Sequence, residues 1–145
     1  FPVISLKEAR GVSGHSMGGF GAINLLCRYP GRFSVGAVHC ASLRFMPPDY
    51  QKGSYIEDLM SDDEFHERFP ETFMNALIRD DVALRITVGV DDRERIVRDA
   101  RALHLFLKEH EKNHVYEETP SGHEYVPYGF DGVTWAAETL KENIC

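Results

Sequence analysis

Apolar residues along this chain recur with two alternating periods. Ala9-Arg10-Gly11-Val12-Ser13 reads as a short strand running into a glycine-rich turn. From Ser16 to Tyr29 the period is helical: Phe20, Ile23, Leu26 and Cys27 share a face, and Pro30-Gly31 stops the helix. Phe33 to Cys40 (FSVGAVHC) is apolar throughout, the pattern of a strand covered on both sides. Leu84 to Val90 (LRITVGV) predicts a third strand. A helix opens at Asp92 or Arg93 and runs to about Glu111, with Ile96, Ala100, Leu103 and Leu107 on one face. Val115 to Glu118 predicts a fourth, shorter strand, and 119–130 a loop rich in proline, glycine and aromatics. Asp131 is read as the cap of a last helix carrying Trp135, Ala136 and Leu140. Alternation of strands and helices predicts an α/β fold: about four parallel strands with flanking helices. Residues 44–80 hold no clear period. They carry Pro47-Pro48, the acidic run Ser61-Asp62-Asp63-Glu64 and several aromatics, and are read as a cap-like excursion over the sheet.

The chain has 145 residues, enough for one domain, and 43% of them are hydrophobic, enough for a core. No repeat, low-complexity segment or internal linker divides it. The net charge is −7 and no lysine or arginine cluster stands out, which argues against nucleic acid and an anionic membrane as partners. No apolar run reaches the roughly 20 residues of a membrane span. There is no signal peptide, which leans the reading toward the cytoplasm while leaving location open. The chain opens on Phe1-Pro2-Val3 and not on methionine, so the native N-terminus is expected upstream or on another polypeptide. Cys27, Cys40 and Cys145 are odd in number and lack Cys-x-x-Cys spacing, and are read as ordinary buried or terminal thiols.

The first chemical signal is Gly14-His15-Ser16-Met17-Gly18-Gly19, a G-x-S-x-G motif after a strand and before a helix. In such an elbow the serine sits on a strained turn, and side chains two before and two after it are expected to clash. Gly14 and Gly18 would relieve that. Ser16 then stands above the sheet at a helix N-terminus, with the Met17 N–H placed to stabilise an oxyanion. His15, inside the elbow, is expected to pack or to contact substrate.

A serine needs a base. Of seven histidines, only His123 follows the last strand in a glycine-containing loop, Pro120-Ser121-Gly122-His123-Glu124. A loop position lets its ring reach over the sheet edge toward Ser16. His39, near a strand end, is a candidate for lining the pocket. His66 lies in the excursion and is read as exposed. His104, His110 and His114 do not share a helical face, which argues against a metal site. The acid of a triad belongs after the third strand, where Val90-Asp91-Asp92 offers two neighbours pointing different ways. One would orient His123, and the other would cap the following helix.

These residues resemble a known group. The run from Gly14 to Ala22, with Tyr29-Pro30 closing the helix and Phe1-Pro2-Val3 ahead of the strand, is similar to the putative-esterase family of α/β-hydrolases, which includes S-formylglutathione hydrolase, feruloyl esterase and enterochelin esterase. The resemblance implies a G-x-x-D acid motif, which selects Asp92 from Gly89. It also implies a G-H-[DE]-[FYW] base motif, met by Gly122-His123-Glu124-Tyr125. Only the C-terminal half of such a fold is present. Members are roughly twice this length, with about four further strands before the elbow and a loop there that supplies a second oxyanion donor.

The expectation is therefore a carboxylic-ester hydrolase: Ser16 as nucleophile, His123 as base, Asp92 as its partner, through an acyl-enzyme, with no metal or organic cofactor. Phe45 and Tyr125 join His15 and His39 as candidate contacts to a small-molecule ester, and Tyr50, Tyr55 and Phe69 as further apolar ones. The competing readings are a serine peptidase of the prolyl-oligopeptidase type, an acyltransferase, and a non-catalytic half-domain completed by a partner. The strand Ala9–Ser13 would be left with an open edge, so a second copy or a chain with the missing strands is expected there.

Overall fold

Four parallel strands, β1 (Gly11–His15), β2 (Val35–His39), β3 (Ala83–Gly89) and β4 (Val115–Thr119), lie side by side in the order of the chain. The computed structural model describes residues 5–43 and 74–144. Helices α1 (Met17–Arg28), α2 (Asn75–Arg79), α3 (Glu94–Glu109) and α4 (Tyr128–Ile144) connect and cover the strands. Phe1, Pro2, Val3, Phe45, Tyr50, Tyr55, His66, Phe69 and Cys145 lie outside the described residues, as does most of the excursion read over 44–80.

The apolar run of β2 becomes a strand buried at every position, because helices sit on both faces. Val38, Leu84, Ile86 and Val88 point to one side, where they meet Ile23 and Leu26 of α1, Leu77 of α2, and Ile96, Leu103 and Leu107 of α3. Val35 and Ala37 point to the other side and meet Ala136, Trp135 and Leu140 of α4. This is the two-residue alternation of a strand sorting neighbours into two cores. Each fully buried Leu, Ile or Val contributes about 1.5–3 kcal/mol to holding the layers together. α1 ends where the sequence stops it: the Tyr29 N–H closes on Leu25 O at 3.0 Å, and Gly31 turns with φ +76°.

Among the boundaries that differ from those read in the sequence are the ends of β1 and the start of α4. β1 starts at Gly11, because Ala9 and Arg10 close a 3-10 turn onto Leu6 O and Lys7 O at 3.2 and 2.9 Å. Gly14 and His15, read as turn, complete the strand. Asp131 does not cap α4. That helix begins at Tyr128, and the Asp131 N–H bonds Pro127 O at 3.2 Å inside the first turn.

The register puts His15 beside His39 and His39 beside Thr87. All four strands point the same way, so the loops that follow them share one end of the sheet, where open α/β sheets carry their chemistry.

Candidate active site

Ser16 follows directly on β1 and caps α1, with φ +56° and ψ −117°. Few non-glycine residues hold such angles, and they persist where neighbours over-determine them. Here the Ser16 N–H bonds His39 O at 3.0 Å, and its carbonyl accepts from Phe20 and Ser42, each at 3.1 Å. The turn is tight enough that a Cβ on Gly14 would run into the Gly18 carbonyl. The expected reciprocal need at Gly18 is not found, since a Cβ there meets no described atom within 4 Å. The second tight glycine is Gly19, where a Cβ would lie 2.7 Å from the Ala41 side chain. The doubled glycine in the motif was the signal for it.

His123 Nε2 lies 2.8 Å from Ser16 Oγ, and His123 Nδ1 lies 2.7 Å from Asp92 Oδ2. A carboxylate only accepts, so Nδ1 carries the proton and Nε2 presents its lone pair to the serine hydroxyl. Of the two neighbouring aspartates, Asp92 is thus the one bonded to His123. Asp91 is exposed and sends its N–H to Ser121 O at 3.0 Å. It does not cap α3, whose first turn has no side-chain cap. The Asp92 side chain is fully buried. Burial alone raises its pKa, but hydrogen bonds from His123 and the Arg93 N–H (2.6 Å) help to hold it below the usual carboxylate value. A Cβ on Gly89 would collide with the Ser121 and Gly122 carbonyls, so the base loop lies directly on it.

Met17 is exposed beside Ser16. Its N–H is one of the first-turn donors of α1, which have no carbonyl of their own helix to bond. The other two candidate histidines sit deeper. His39 is 3% exposed, with Nδ1 at 2.8 Å from Thr87 Oγ1 and Nε2 at 2.9 Å from Glu124 O. Both nitrogens are engaged, which leaves His39 no polar atom for a substrate. His15 Nε2 lies 3.1 Å from His123 O, and its ring packs between His39 and His123 at centroid distances of 5.6 and 4.8 Å. Tyr125 stands edge-on to His15 at 5.6 Å and against Phe130 at 5.1 Å, with its ring against Gly129.

Two groups bear on metals. His15, Cys40 and His123 offer ligand atoms within 4.8 Å of one another. Each is committed elsewhere: both His123 nitrogens as above, His15 Nε2 to a carbonyl, and the Cys40 thiol to Gly122 O at 3.6 Å. Cys27 and Cys40 are both buried and unpaired. The second group is a pair of histidines outside the candidate site. His104 and His114 do meet, Nδ1 to Nε2 at 2.8 Å, because His114 lies beyond α3 and folds back beside it. His114 Nδ1 is engaged by Lys112 O at 2.7 Å.

A parallel sheet ending in a serine elbow, with an Asp–His pair on the next loops, is the architecture of an α/β-hydrolase. Three solved structures align with nearly all of it. One is S-formylglutathione hydrolase (FrmB) from Staphylococcus aureus, with TM-score 0.69, 19% identity, 97% of this chain and 54% of that one. Another is FphF, a fluorophosphonate-binding serine hydrolase of S. aureus, with TM-score 0.72, 19% identity, 97% and 57%. The third is a ferulic acid esterase, with TM-score 0.68, 17% identity, 97% and 55%. The chain spans little more than half the length of these proteins. No curated protein matches the sequence. The family model described as "Putative esterase" matches residues 2–138, and the chain belongs to that family.

Proposed function

We propose that this chain carries the Ser16–His123–Asp92 triad of a carboxylic-ester hydrolase acting on small-molecule esters. The observation that carries the reading is the His123 ring, bonded to Asp92 on one nitrogen and to Ser16 Oγ on the other. His123 takes the serine proton as Oγ attacks the acyl carbonyl, and Asp92 stabilises the imidazolium that forms. The Met17 N–H stabilises the oxyanion. His123 then gives its proton to the leaving alkoxide. Water, deprotonated by the same ring, releases the acid.

The reading is supported further by family membership and by the placement of both motif glycines, Gly14 and Gly89, at points where no side chain fits. A fluorophosphonate probe with mass spectrometry tests it. The adduct is expected on the peptide holding Ser16 and is lost in Ser16→Ala. Labelling that persists undiminished in Ser16→Ala would sink the assignment.

We further propose that strands from outside this chain cover the free edge of β1. β1 pairs with β2 alone among the described residues, and Gly11 and Ser13 are exposed.

A further inference from the structure

Residues 121–125 cross the strand ends as irregular backbone, yet every carbonyl in the run has a donor. Ser121 O accepts from the Asp91 N–H at 3.0 Å and Tyr125 O from the Gly129 N–H at 2.6 Å. The three between them are taken by side chains: Gly122 O by the Cys40 thiol (3.6 Å), His123 O by His15 Nε2 (3.1 Å), and Glu124 O by His39 Nε2 (2.9 Å). All three donors come from the ends of two neighbouring strands, and His15 and His39 are direct register partners. Surface loops commonly leave such carbonyls to water. Here consecutive peptide units are fixed to the sheet on either side of the residue that carries the base.

We propose that His15, His39 and Cys40 form a side-chain clamp that positions the base loop, so that the His123 ring stays between Asp92 and Ser16. The proposal rests on the ester-hydrolase reading and gives His15 and His39 a role other than substrate contact. A carbonyl only accepts, so both histidines carry their proton on Nε2. In His39 that leaves Nδ1 to accept from the Thr87 hydroxyl at 2.8 Å. Burial lowers the pKa of both rings and pushes the Cys40 thiol up to about 12, so the thiol keeps the proton it donates. All three act through the loop and not on reacting atoms.

The test contrasts amides of two lengths. In His39→Gln and His15→Gln the side-chain nitrogen reaches the place of Nε2 and keeps the donor. In His39→Asn and His15→Asn it falls short. Two readouts are taken on each folded variant: the low-field NMR resonance of the His123 Nδ1–H, and the fluorophosphonate labelling of Ser16. Misplacing the base by about 1 Å costs roughly 10²-fold. The Asn variants are therefore expected to lose the resonance and to label about 10–100-fold more slowly, with unchanged probe affinity. The Gln variants are expected to restore both. Asn variants that keep the resonance and label at the wild-type rate overturn the clamp, as do Gln variants impaired as much as Asn. If His39→Asn does not fold, the partly exposed His15 pair decides. A wild-type protein that shows the resonance but never labels fails the hydrolase reading, while the resonance still judges the clamp.

Discussion

At the residue scale, the elbow is governed by where a single methyl group fits. Gly14→Ala places carbon inside the Gly18 backbone and is expected to cost about 3 kcal/mol or more. Gly18→Ala enters open space among the described residues, in the first turn of a helix, where alanine is favoured over glycine by up to about 1 kcal/mol. Thermal or urea unfolding of the two variants checks this, and equal losses would refute it. The motif alone made these glycines look symmetric, because G-x-S-x-G reads the same from either side of the serine. The steric map does not share that symmetry, since Gly14 lies against the next turn of backbone and Gly18 faces outward. Ser16, His123 and the Asp92 position were legible because each belongs to a short motif. The carbonyl partners of the base loop were not, because residues 15, 39, 40 and 122–124 are distant in sequence and share no pattern.

At the scale of elements, α3 holds the clearest electrostatic consequence. Ile96, Leu103 and Leu107 were legible as its buried stripe, and Asp99 lies on that same stripe, three positions from Ile96. The carboxyl is 3% exposed, and burial raises its pKa to about 6 against the pull of Arg95 and Arg98. Between about pH 4 and pH 6 the unfolded chain has released this proton while the folded protein still holds it. Stability therefore falls as pH rises through that window, and the deficit persists above it. The two arginine contacts, at 3.4 Å and from partly exposed side chains, offset little. Asp99→Asn is expected to melt higher than wild type at pH 7, with the gap closing toward pH 4. A gap of the same size at both pH values would contradict the account. The strand boundaries were less legible than this helix. Ala9 looks like the start of β1 by composition, and only the bonds to Leu6 O and Lys7 O reveal the 3-10 turn.

For the whole molecule, the sheet order was legible from the strict alternation of strands and helices, since consecutive parallel strands tend to be neighbours. Among the described residues that order leaves β1 at an edge. β2 is buried along its length, whereas β1 is half exposed, and edge strands of this kind recruit others. The matching structures contain nearly as much chain again, and a polypeptide carrying such strands is the proposed occupant. Light scattering is expected to give a mass above the 16.5 kDa of one chain, and amide exchange on Gly11–His15 is expected to slow in the assembly. A multiple of 16.5 kDa would identify a second copy in that place. A stable monomer at all concentrations, with slowly exchanging β1 amides, would refute the assembly.

The same order has a consequence in time. Each strand pairs with the one that precedes it in the chain, yet the register partners Gly11 and Val35, Val35 and Ala83, and Arg85 and Val115 are far apart in sequence, and parallel pairing over such separations is intrinsically slow. Ser16 arrives with the first strand, Asp92 after the third, and His123 only after the fourth. On the proposed reading, Ser16 stays unreactive until the loop carrying His123 settles across Gly89. During refolding, circular dichroism should recover ahead of Ser16 reactivity, and the lag between them would measure the docking of the final loop.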